Sequence, residues 1–408
     1  MSNLSTVFTT AIANTASYPG QSFFGSNNIK VFLASGTFVV PPNVNQIRVR
    51  VHGAGGSGAV ATSSDKNRCA TGGGGGGLAI KTLNVTPGTS YAVTVGAGGA
   101  PAQTLASGNA GGTSSFGAVC SATGGSGGNY ATGNAANSAA GATGGTGSGG
   151  DLNYTGGGSG TATTTAYSGT YVTLAGTGGG SAASIFGNGY ASGNATTGAG
   201  TSGNGCGAAT GGAGVGGSSG NMTYAGGSAF VISSGGGTLS AGVNVVSGQG
   251  TGVGGGGFNF PVSPNAVSNY SLLGGAPTIP ILPVELYYAL VGNNTTAGSS
   301  YGSYPLNAVN RFPGDILMSA AGTGNQQYNN SLGIAPPGCG SSTASGTGAN
   351  TSSMVFGGGH ATTDPNNNGA RGAPCFIAGG GGACASYTGT DANAYSGAGG
   401  SGMVIVEW

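Results

Sequence analysis

Glycine is concentrated in two blocks of the sequence, and this distribution limits the possible folds more than any other feature. The chain has 95 glycines in 408 residues, but residues 1–52 contain only three and residues 261–335 only nine. Residues 53–260 contain 65, and residues 336–408 contain 18. Ordering a glycine costs about 0.5–1 kcal/mol more conformational entropy than ordering an alanine. An ordered glycine block therefore needs a dense set of compensating hydrogen bonds. The alternative is a flexible linker.

Apolar residues recur through the first glycine block, which favours an ordered structure over a linker. They are Val172, Leu174, Ile185, Phe186, Val215, Phe230, Val231, Ile232, Val243, Val245, Val246, Phe258 and Phe260. Glycine backbones can pack side by side as extended threefold helices, whose outward N–H and C=O groups would pair between neighbours. We therefore expect packed polyglycine II-like helices, with the runs Gly72–Gly77, Gly254–Gly257 and Gly379–Gly382 at the most crowded positions.

Five segments near the ends of the sequence have β-strand patterns. They are Gly36–Val40, Gln46–His52, Leu78–Val85, Ser90–Val95 and Ser401–Trp408. In Gln46–His52, alternation places Ile47, Val49 and Val51 on one face and Arg48, Arg50 and His52 on the other. Thr86–Thr89 is typical of a tight turn.

These patterns predict a mainly β fold with almost no α-helix. A small antiparallel β unit is closed by the C-terminal strand, and the glycine-rich insertion forms the packed helices and loops. A single short helix is predicted at Pro283–Gly292, where proline lies near the start and glycine at the end.

Charge and hydropathy exclude several classes of protein. The net charge is +1, and from Thr82 to Val284 Asp151 is the only charged residue. Nucleic-acid binding needs clustered basic side chains, and the densest basic group here is Lys66 with Arg68. No apolar stretch approaches the ~18 residues of a membrane span. Met1–Gly20 lacks the pattern of a signal peptide, so we do not expect export by that route.

The reactive side chains are few and scattered. Glycoside hydrolysis needs two positioned carboxylates, but the candidates are widely spaced and better explained as turn residues or partners of nearby bases: Asp151, Glu285, Asp315, Asp364, Asp391 and Glu407. Two lone histidines, His52 and His360, do not form a metal site. We therefore predict a non-enzymatic protein without cofactor or metal. The six cysteines are expected mainly as buried thiols, with one or two disulfides as the alternative.

Three segments resemble a known family. Gly36–Gly56 is similar to the opening motif of glycine-rich phage tail proteins, in which a TFTVP-like strand precedes an alternating strand and a glycine pair. The segment Gly72–Gly99 and the ending Gly399–Trp408 also resemble that family. The resemblance covers roughly residues 36–118 and 398–408. It implies a virion component at the tail tip or fibre end, in which packed polyglycine II helices display receptor-binding loops.

The resemblance and the glycine pattern together divide the chain. Residues 1–35 are expected to form an attachment or assembly segment, and residues 36–118 plus 398–408 the β domain. Residues 119–260 form the glycine-rich helix bundle, 261–335 a Tyr/Pro-rich insert, and 336–397 a second glycine-rich region. With only 35 residues before the family segment, the chain is either a tip adhesin carried by another protein or a short fibre anchored through those residues.

We expect a phage tail receptor-binding protein that binds a host-surface glycan or an outer-membrane protein. The alternatives are a purely structural virion tail or cap protein and, less favoured, an ice-binding protein. Its partners would be the host receptor and other tail or baseplate proteins. A homotrimer, incorporated into the virion tail and assembled in the host cytoplasm, is expected; nucleic acid and a membrane span are not. The candidate receptor-binding residues lie in the insert, where aromatic rings offer rigid contact area: Tyr287, Tyr288, Tyr301, Tyr304, Arg311 and Tyr328. A packing or oligomer-interface role for these side chains is the alternative. Second candidates are tyrosines expected in loops of the first glycine block: Tyr154, Tyr167, Tyr171, Tyr190 and Tyr224.

Overall fold

The computed structural model describes one long part of the chain and several short ones. They are residues 28–165, 172–185, 187–198, 205–209, 222–225, 230–232, 245–246, 358–359, 361–364, 372, 375, 377–386 and 394–408. All regular secondary structure in these residues is β, which confirms the predicted mainly β fold. The predicted helix at 283–292 and the glycine run 254–257 lie outside the described residues.

Two antiparallel sheets form a sandwich at one end of the fold. The first contains, in spatial order, β1 (Ile29–Phe32), β23 (Met403–Glu407), β3 (Gln46–His52), β6 (Leu78–Asn84) and β13 (Leu152–Tyr154). The second contains β12 (Gly147–Ser148), β9 (Cys120–Ala122), β8 (Ser114–Phe116), β7 (Ser90–Thr94) and β2 (Gly36–Val39). The five strands predicted from the sequence are all present, and they are divided between the two sheets.

The C-terminal strand completes the sandwich, as predicted. β23 lies between β1 and β3 and pairs antiparallel with both. Ile47, Val49 and Val51 of β3 are fully buried in the apolar core between the sheets. Across this core the Phe38 ring lies 6.0 Å from Phe116, measured between ring centroids. The alternating pattern of β3 therefore predicted its inward face correctly.

The turn between β6 and β7 also follows its sequence. Thr89 N–H donates to the Thr86 carbonyl, 3.1 Å away. Gly88 has φ +81°, the left-handed value that a type II turn requires after proline. Glycine is needed here for its backbone freedom, as it is at Gly117, Gly149 and Gly187, which also have positive φ.

Extended glycine-rich segments leave the sandwich and form what we call the glycine lattice. Its described segments are residues 53–59, 71–77, 96–100, 107–112, 123–129, 140–146, 155–161, 178–183, 188–194, 378–383 and 394–402. Segment 53–59 continues from β3 away from the sandwich, and segment 71–77 returns to β6. The other segments alternate in direction in the same way, so the lattice consists of antiparallel and parallel neighbours packed side by side.

The hydrogen bonds of segment 53–59 repeat every three residues. Every third N–H donates to segment 71–77, in the pairs Gly53–Gly77, Gly56–Gly74 and Ala59–Thr71. The next positions donate to segment 107–112, in the pairs Ala54–Gly112 and Ser57–Asn109, and the third set donates to segment 394–402, in the pairs Gly55–Gly400 and Gly58–Gly397. A period of three is that of a threefold extended helix. The assignment of these segments as polyglycine II helices stays a prediction.

Segment 71–77 has six neighbours. Its N–H groups donate to segments 123–129, 378–383 and 155–161, and its carbonyls accept from segments 53–59, 140–146 and 178–183. Because every side faces another backbone, there is no room for a side chain. A Cβ atom on any residue of Gly72–Gly77 would lie closer than 3.0 Å to backbone atoms of a neighbouring segment. These glycines are required for close approach, since none has positive φ.

Hydroxyl side chains bind lattice N–H groups that a backbone carbonyl does not reach. Ser159 Oγ accepts from the Ala142 N–H at 2.7 Å, and Ser192 Oγ accepts from the Gly160 N–H at the same distance. Both bonds are buried. An unpaired buried amide costs free energy comparable to a lost hydrogen bond. The polar residues of the field therefore complete the lattice as well as face water.

Two further five-stranded sheets and one three-stranded sheet cover the end of the lattice opposite the sandwich, called here the far end. The first contains β10 (Tyr130–Gly133), β5 (Asn67–Ala70), β15 (Thr173–Thr177), β17 (Gly205–Ala209) and β19 (Phe230–Ile232). The second contains β11 (Asn137–Ala139), β14 (Ala162–Thr164), β16 (Ala195–Gly198), β18 (Met222–Ala225) and β20 (Val245–Val246). The third contains β21 (Thr362–Asp364), β22 (Cys384–Ser386) and β4 (Val60–Thr62). Val172 and Leu174, two of the apolar residues noted in the first glycine block, are buried here.

Four cysteines of the described chain are buried thiols, in agreement with the main expectation from the sequence. They are Cys69, Cys120, Cys375 and Cys384. Burial raises the pKa of the Cys120 thiol to about 11. Within the described residues, no helix has the length and apolar character needed to cross a membrane.

Alanine at a lattice glycine is expected to destabilise the fold strongly. In Gly76→Ala the new Cβ would overlap the Gly53 carbonyl of the neighbouring segment, and overpacking costs about 1–3 kcal/mol or more. Gly36→Ala is the matched control, because the nearest atom to its Cβ is a Phe32 ring carbon at 3.6 Å. Urea unfolding of both variants measures the difference. Equal stability of the two would contradict a lattice closed to side chains.

Removing a buried hydroxyl is expected to cost less, but measurably. Ser192→Ala leaves the Gly160 N–H without its side-chain acceptor, a loss of about 1–3 kcal/mol. Ser148→Ala, at an exposed position of β12, should stay within about 0.5 kcal/mol of the parent. The same unfolding measurement compares them, and a Ser192→Ala variant as stable as Ser148→Ala would show that the hydroxyl does not support the lattice.

Candidate binding surface at the far end of the lattice

Three described turns lie together at the far end. Residues 63–66 join β4 to β5, residues 134–136 join β10 to β11, and residues 101–106 connect the lattice segments 96–100 and 107–112. The first two follow strands that run away from the sandwich, and the third follows a segment that leaves it after β7. The fold therefore collects these turns on one surface.

Side-chain hydrogen bonds fix the first two turns to one another. Lys66 N–H donates to Asn134 Oδ1 at 3.1 Å, and Asn67 Nδ2 donates to the Ala135 carbonyl at 2.8 Å. Asn137 Nδ2 donates to the same carbonyl at 3.0 Å. Asn67 is buried, whereas Asn134 is exposed. The two turns consequently hold a defined shape before any partner binds.

The third turn presents an apolar side chain from a strained backbone. Thr104 has φ +55°, a left-handed value that is costly for a β-branched residue. Ala106 forms a bridge to Val60, with bonds of 2.8 and 3.1 Å, and Ala102 N–H donates to Ser396 Oγ at 2.8 Å. Between these anchors the Leu105 side chain is 41% exposed. Strained residues of this kind cluster at functional sites.

Aromatic, apolar and polar groups thus share the far end. Tyr130 on β10 is exposed, and the half-buried Tyr395 forms a β-bridge with Gln103. Asp65 and Lys66 are half-buried in the first turn. In the described chain, no group of three or more His, Cys, Asp or Glu could hold a metal ion. The chemistry of this surface suits non-covalent recognition by rings, amides and a few charges.

A family model for a glycine-rich domain matches residues 33–277 of the chain. The chain belongs to this glycine-rich domain family. The match spans the sandwich strands from β2 to β13 and most of the lattice. No curated protein matches the chain.

The receptor-binding residues predicted from the sequence lie outside the described residues. This holds for Tyr287, Tyr288, Tyr301, Tyr304, Arg311 and Tyr328. Among further tyrosines of the glycine field, which the sequence suggested as loop residues, Tyr154 lies in β13 and Tyr224 in β18, so the loop prediction is wrong for both. Tyr190 is half-buried within a lattice segment. Tyr154 and Tyr224 are in strands because their segments pair with β6 and with β16, respectively.

The sequence does contain a signal for the far-end turns, which is a short stretch without glycine. Residues 59–71, 100–107 and 134–140 contain no glycine, and each includes one of the three turns. Side chains return where the chain leaves the crowded lattice. This criterion could have located the exposed Leu105 and Asn134. The average glycine content of residues 53–260 hides these short glycine-free stretches.

Two of the carboxylates considered for catalysis bind basic side chains instead. Arg48 Nε and Arg50 Nη2 both donate to Glu407, which is fully buried. Asp151 accepts from Lys81 Nζ at 2.6 Å and from the Thr82 N–H at 2.8 Å. The Lys81 hydrogen bond lowers the pKa of Asp151. Both carboxylates are therefore partners of nearby bases, as the sequence interpretation proposed.

His52 is buried on the face of β3 that also carries Arg48 and Arg50. Residues of segment 377–378 and Ala182 pack over this face with Met403 and Ile405. Burial, and secondarily the Arg50 guanidinium, lowers the pKa of His52 from 6.5 to about 3. Arg50 and His52 are thus buried on this face of β3, whereas the Arg48 side chain remains 34% exposed.

Acid is expected to destabilise the protein partly through His52. Between pH 6.5 and about 3 the unfolded side chain binds a proton that the folded one does not. The free energy of unfolding therefore falls as the pH is lowered, by up to about 1.4 kcal/mol per pH unit. His52→Gln removes this contribution, and urea unfolding at pH 7 and pH 5 measures it. An identical loss of stability in the parent and the variant would rule out His52 as a source.

Proposed function

We propose that the chain is a phage tail receptor-binding protein, non-enzymatic, which binds a host-surface glycan or outer-membrane protein through loops at the far end. The observation that carries this proposal is the separation of two ends. Trp408 N–H donates to the Asn28 carbonyl at 3.0 Å, so residues 28 and 408 lie together at the sandwich. The exposed turns 63–66, 101–106 and 134–136 lie at the other end. One end is suited to attachment and the other to display.

The lattice supports recognition by lowering its entropic cost. Loops that are ordered before binding lose less conformational freedom on association. The two hydrogen bonds between turns 63–66 and 134–136 provide such order. Rings and amides on a rigid support are suited to glycans and to outer-membrane loops, because rings supply large rigid contact area and amides supply adaptable hydrogen bonds.

The remaining parts of the proposal concern the virion. The sandwich end would bind other tail or baseplate proteins, and the protein would be assembled in the host cytoplasm and carried in the virion tail. The host receptor, the tail partners and the homotrimer implied by the resemblance stay predictions. A purely structural cap would bind only virion proteins, which distinguishes it experimentally.

The purified full chain is expected to inhibit virion adsorption to the host strain. Cells are preincubated with the chain, virions that carry it are added, and free virions are counted. A receptor-binding protein occupies the receptor and lowers adsorption as its concentration rises. A structural cap leaves adsorption unchanged at every concentration, and that result would overturn the proposed function.

Bulky substitutions at the far-end turns are expected to weaken this inhibition. Ser64→Trp and Ala136→Trp alter exposed positions of two turns, while Thr86→Trp alters an exposed turn at the sandwich end. Loss of a well-packed contact weakens binding by about tenfold or more. The inhibitory concentration should rise about tenfold for the far-end variants and stay constant for Thr86→Trp. If all three behave like the parent, the described turns are not the contact, and Tyr301→Ala and Tyr304→Ala then test the insert.

A further inference from the structure

The edge of the sandwich formed by β1 has an exposed apolar stripe. Ile29 and Val31 of β1 and Leu33, the residue directly after the strand, alternate with Lys30 and Phe32 and are 40%, 41% and 62% exposed. They lie on the same face as Ile405 and Glu407 of the neighbouring strand, because the register pairs Val31 with Ile405 and Ile29 with Glu407. The intervening Phe32 is buried in the core. A regular apolar stripe on an open edge is unusual, since edges are normally protected by charge, proline or a cover.

Among the described residues, no strand pairs with β1 on the side away from β23. β1 is the last strand of its sheet, and its described ladder bonds all go to β23. Extended N–H and C=O groups of this kind pair with another strand. The second sheet ends at the same flank with β2, where Val39 is 53% exposed. The shape and chemistry of this edge therefore fit an added strand.

We propose that β1 pairs antiparallel with β1 of a second copy of the chain, which gives a twofold dimer. An antiparallel pair of identical strands is self-complementary. With Val31 on the twofold axis, Ile29 faces Leu33 of the other copy and the apolar stripes become continuous. Lys30 then faces Phe32 of the other copy instead of another lysine. Within one chain Lys30 Nζ already lies 4.9 Å from the Phe32 ring centroid, so the same two residue types are compatible as neighbours.

This pairing extends the first sheet of the sandwich across the axis. The inner faces of the two β1 strands remain on one side of the joined sheet, where the second sheets lie. The far ends are not involved, so both copies keep their displayed turns. The inference is independent of receptor binding, and it differs from the homotrimer implied by the family resemblance, because three identical strands cannot pair in this way.

Light scattering after size-exclusion chromatography tests the dimer with the full chain. The parent should have twice the mass of one chain, and Val31→Lys, which places two ammonium groups opposite each other, should have the mass of one chain. Leu152→Lys is the matched control, because Leu152 is a 49% exposed residue on the opposite edge strand of the same sheet. It should remain dimeric. A parent that is monomeric or trimeric overturns the proposal, as does equal dissociation of both variants.

A cysteine on the axis tests the register directly. Opposite residues of an antiparallel pair have Cα atoms about 4.5–5.5 Å apart, within the range that a disulfide spans. Val31→Cys should therefore form a cross-linked dimer under mild oxidation on a non-reducing gel, whereas the parent and Leu152→Cys should not. Absence of the cross-link in Val31→Cys, or an equal yield in Leu152→Cys, overturns the proposed pairing. Neither outcome affects the adsorption experiment, so the two proposals fail separately.

Discussion

Backbone-to-backbone hydrogen bonding between glycine-rich segments is the interaction on which the rest of the structure depends. Segment 71–77 bonds to six neighbours, so its backbone takes the place that side chains have in an ordinary core. Ordering each glycine costs conformational entropy. Hydrogen bonds from its N–H and C=O groups to the surrounding segments compensate for that cost. The sandwich lies at one end of this lattice and the turns at the other. Their relative position is set by the length of the segments between them.

The polar residues of the chain follow from the same constraint. A lattice has a boundary, and N–H groups there need acceptors. Ser159 and Ser192 supply them in buried positions. The half-buried Ser126 does the same nearer the surface, where its Oγ accepts from the Thr143 N–H at 2.8 Å. Low charge is consistent with this arrangement, since a neutral hydroxyl can be buried beside a backbone at much less cost than an ionised group.

The sequence predicted local strand and turn patterns closely, and contacts between distant segments poorly. Strand alternation in Gln46–His52 and the turn at Thr86–Thr89 are local patterns, and the structure has them at the expected residues. The burial of His52 and Arg50 was missed because the covering segment is hundreds of residues away in the chain. Tyr154 and Tyr224 became strand residues through pairing with distant partners, which no local pattern encodes. The six insert residues lie outside the described chain, so their role stays a prediction.

The period of three has a consequence for how this protein can vary. An insertion within a lattice segment shifts every later donor to a different neighbour unless it adds a multiple of three residues. An insertion in a far-end turn shifts nothing, because the chain returns to the lattice at the same point. Changes in length should therefore accumulate in the glycine-free interruptions, while the segments keep a fixed phase. The architecture separates the part of the sequence that can diversify from the part that must remain in register.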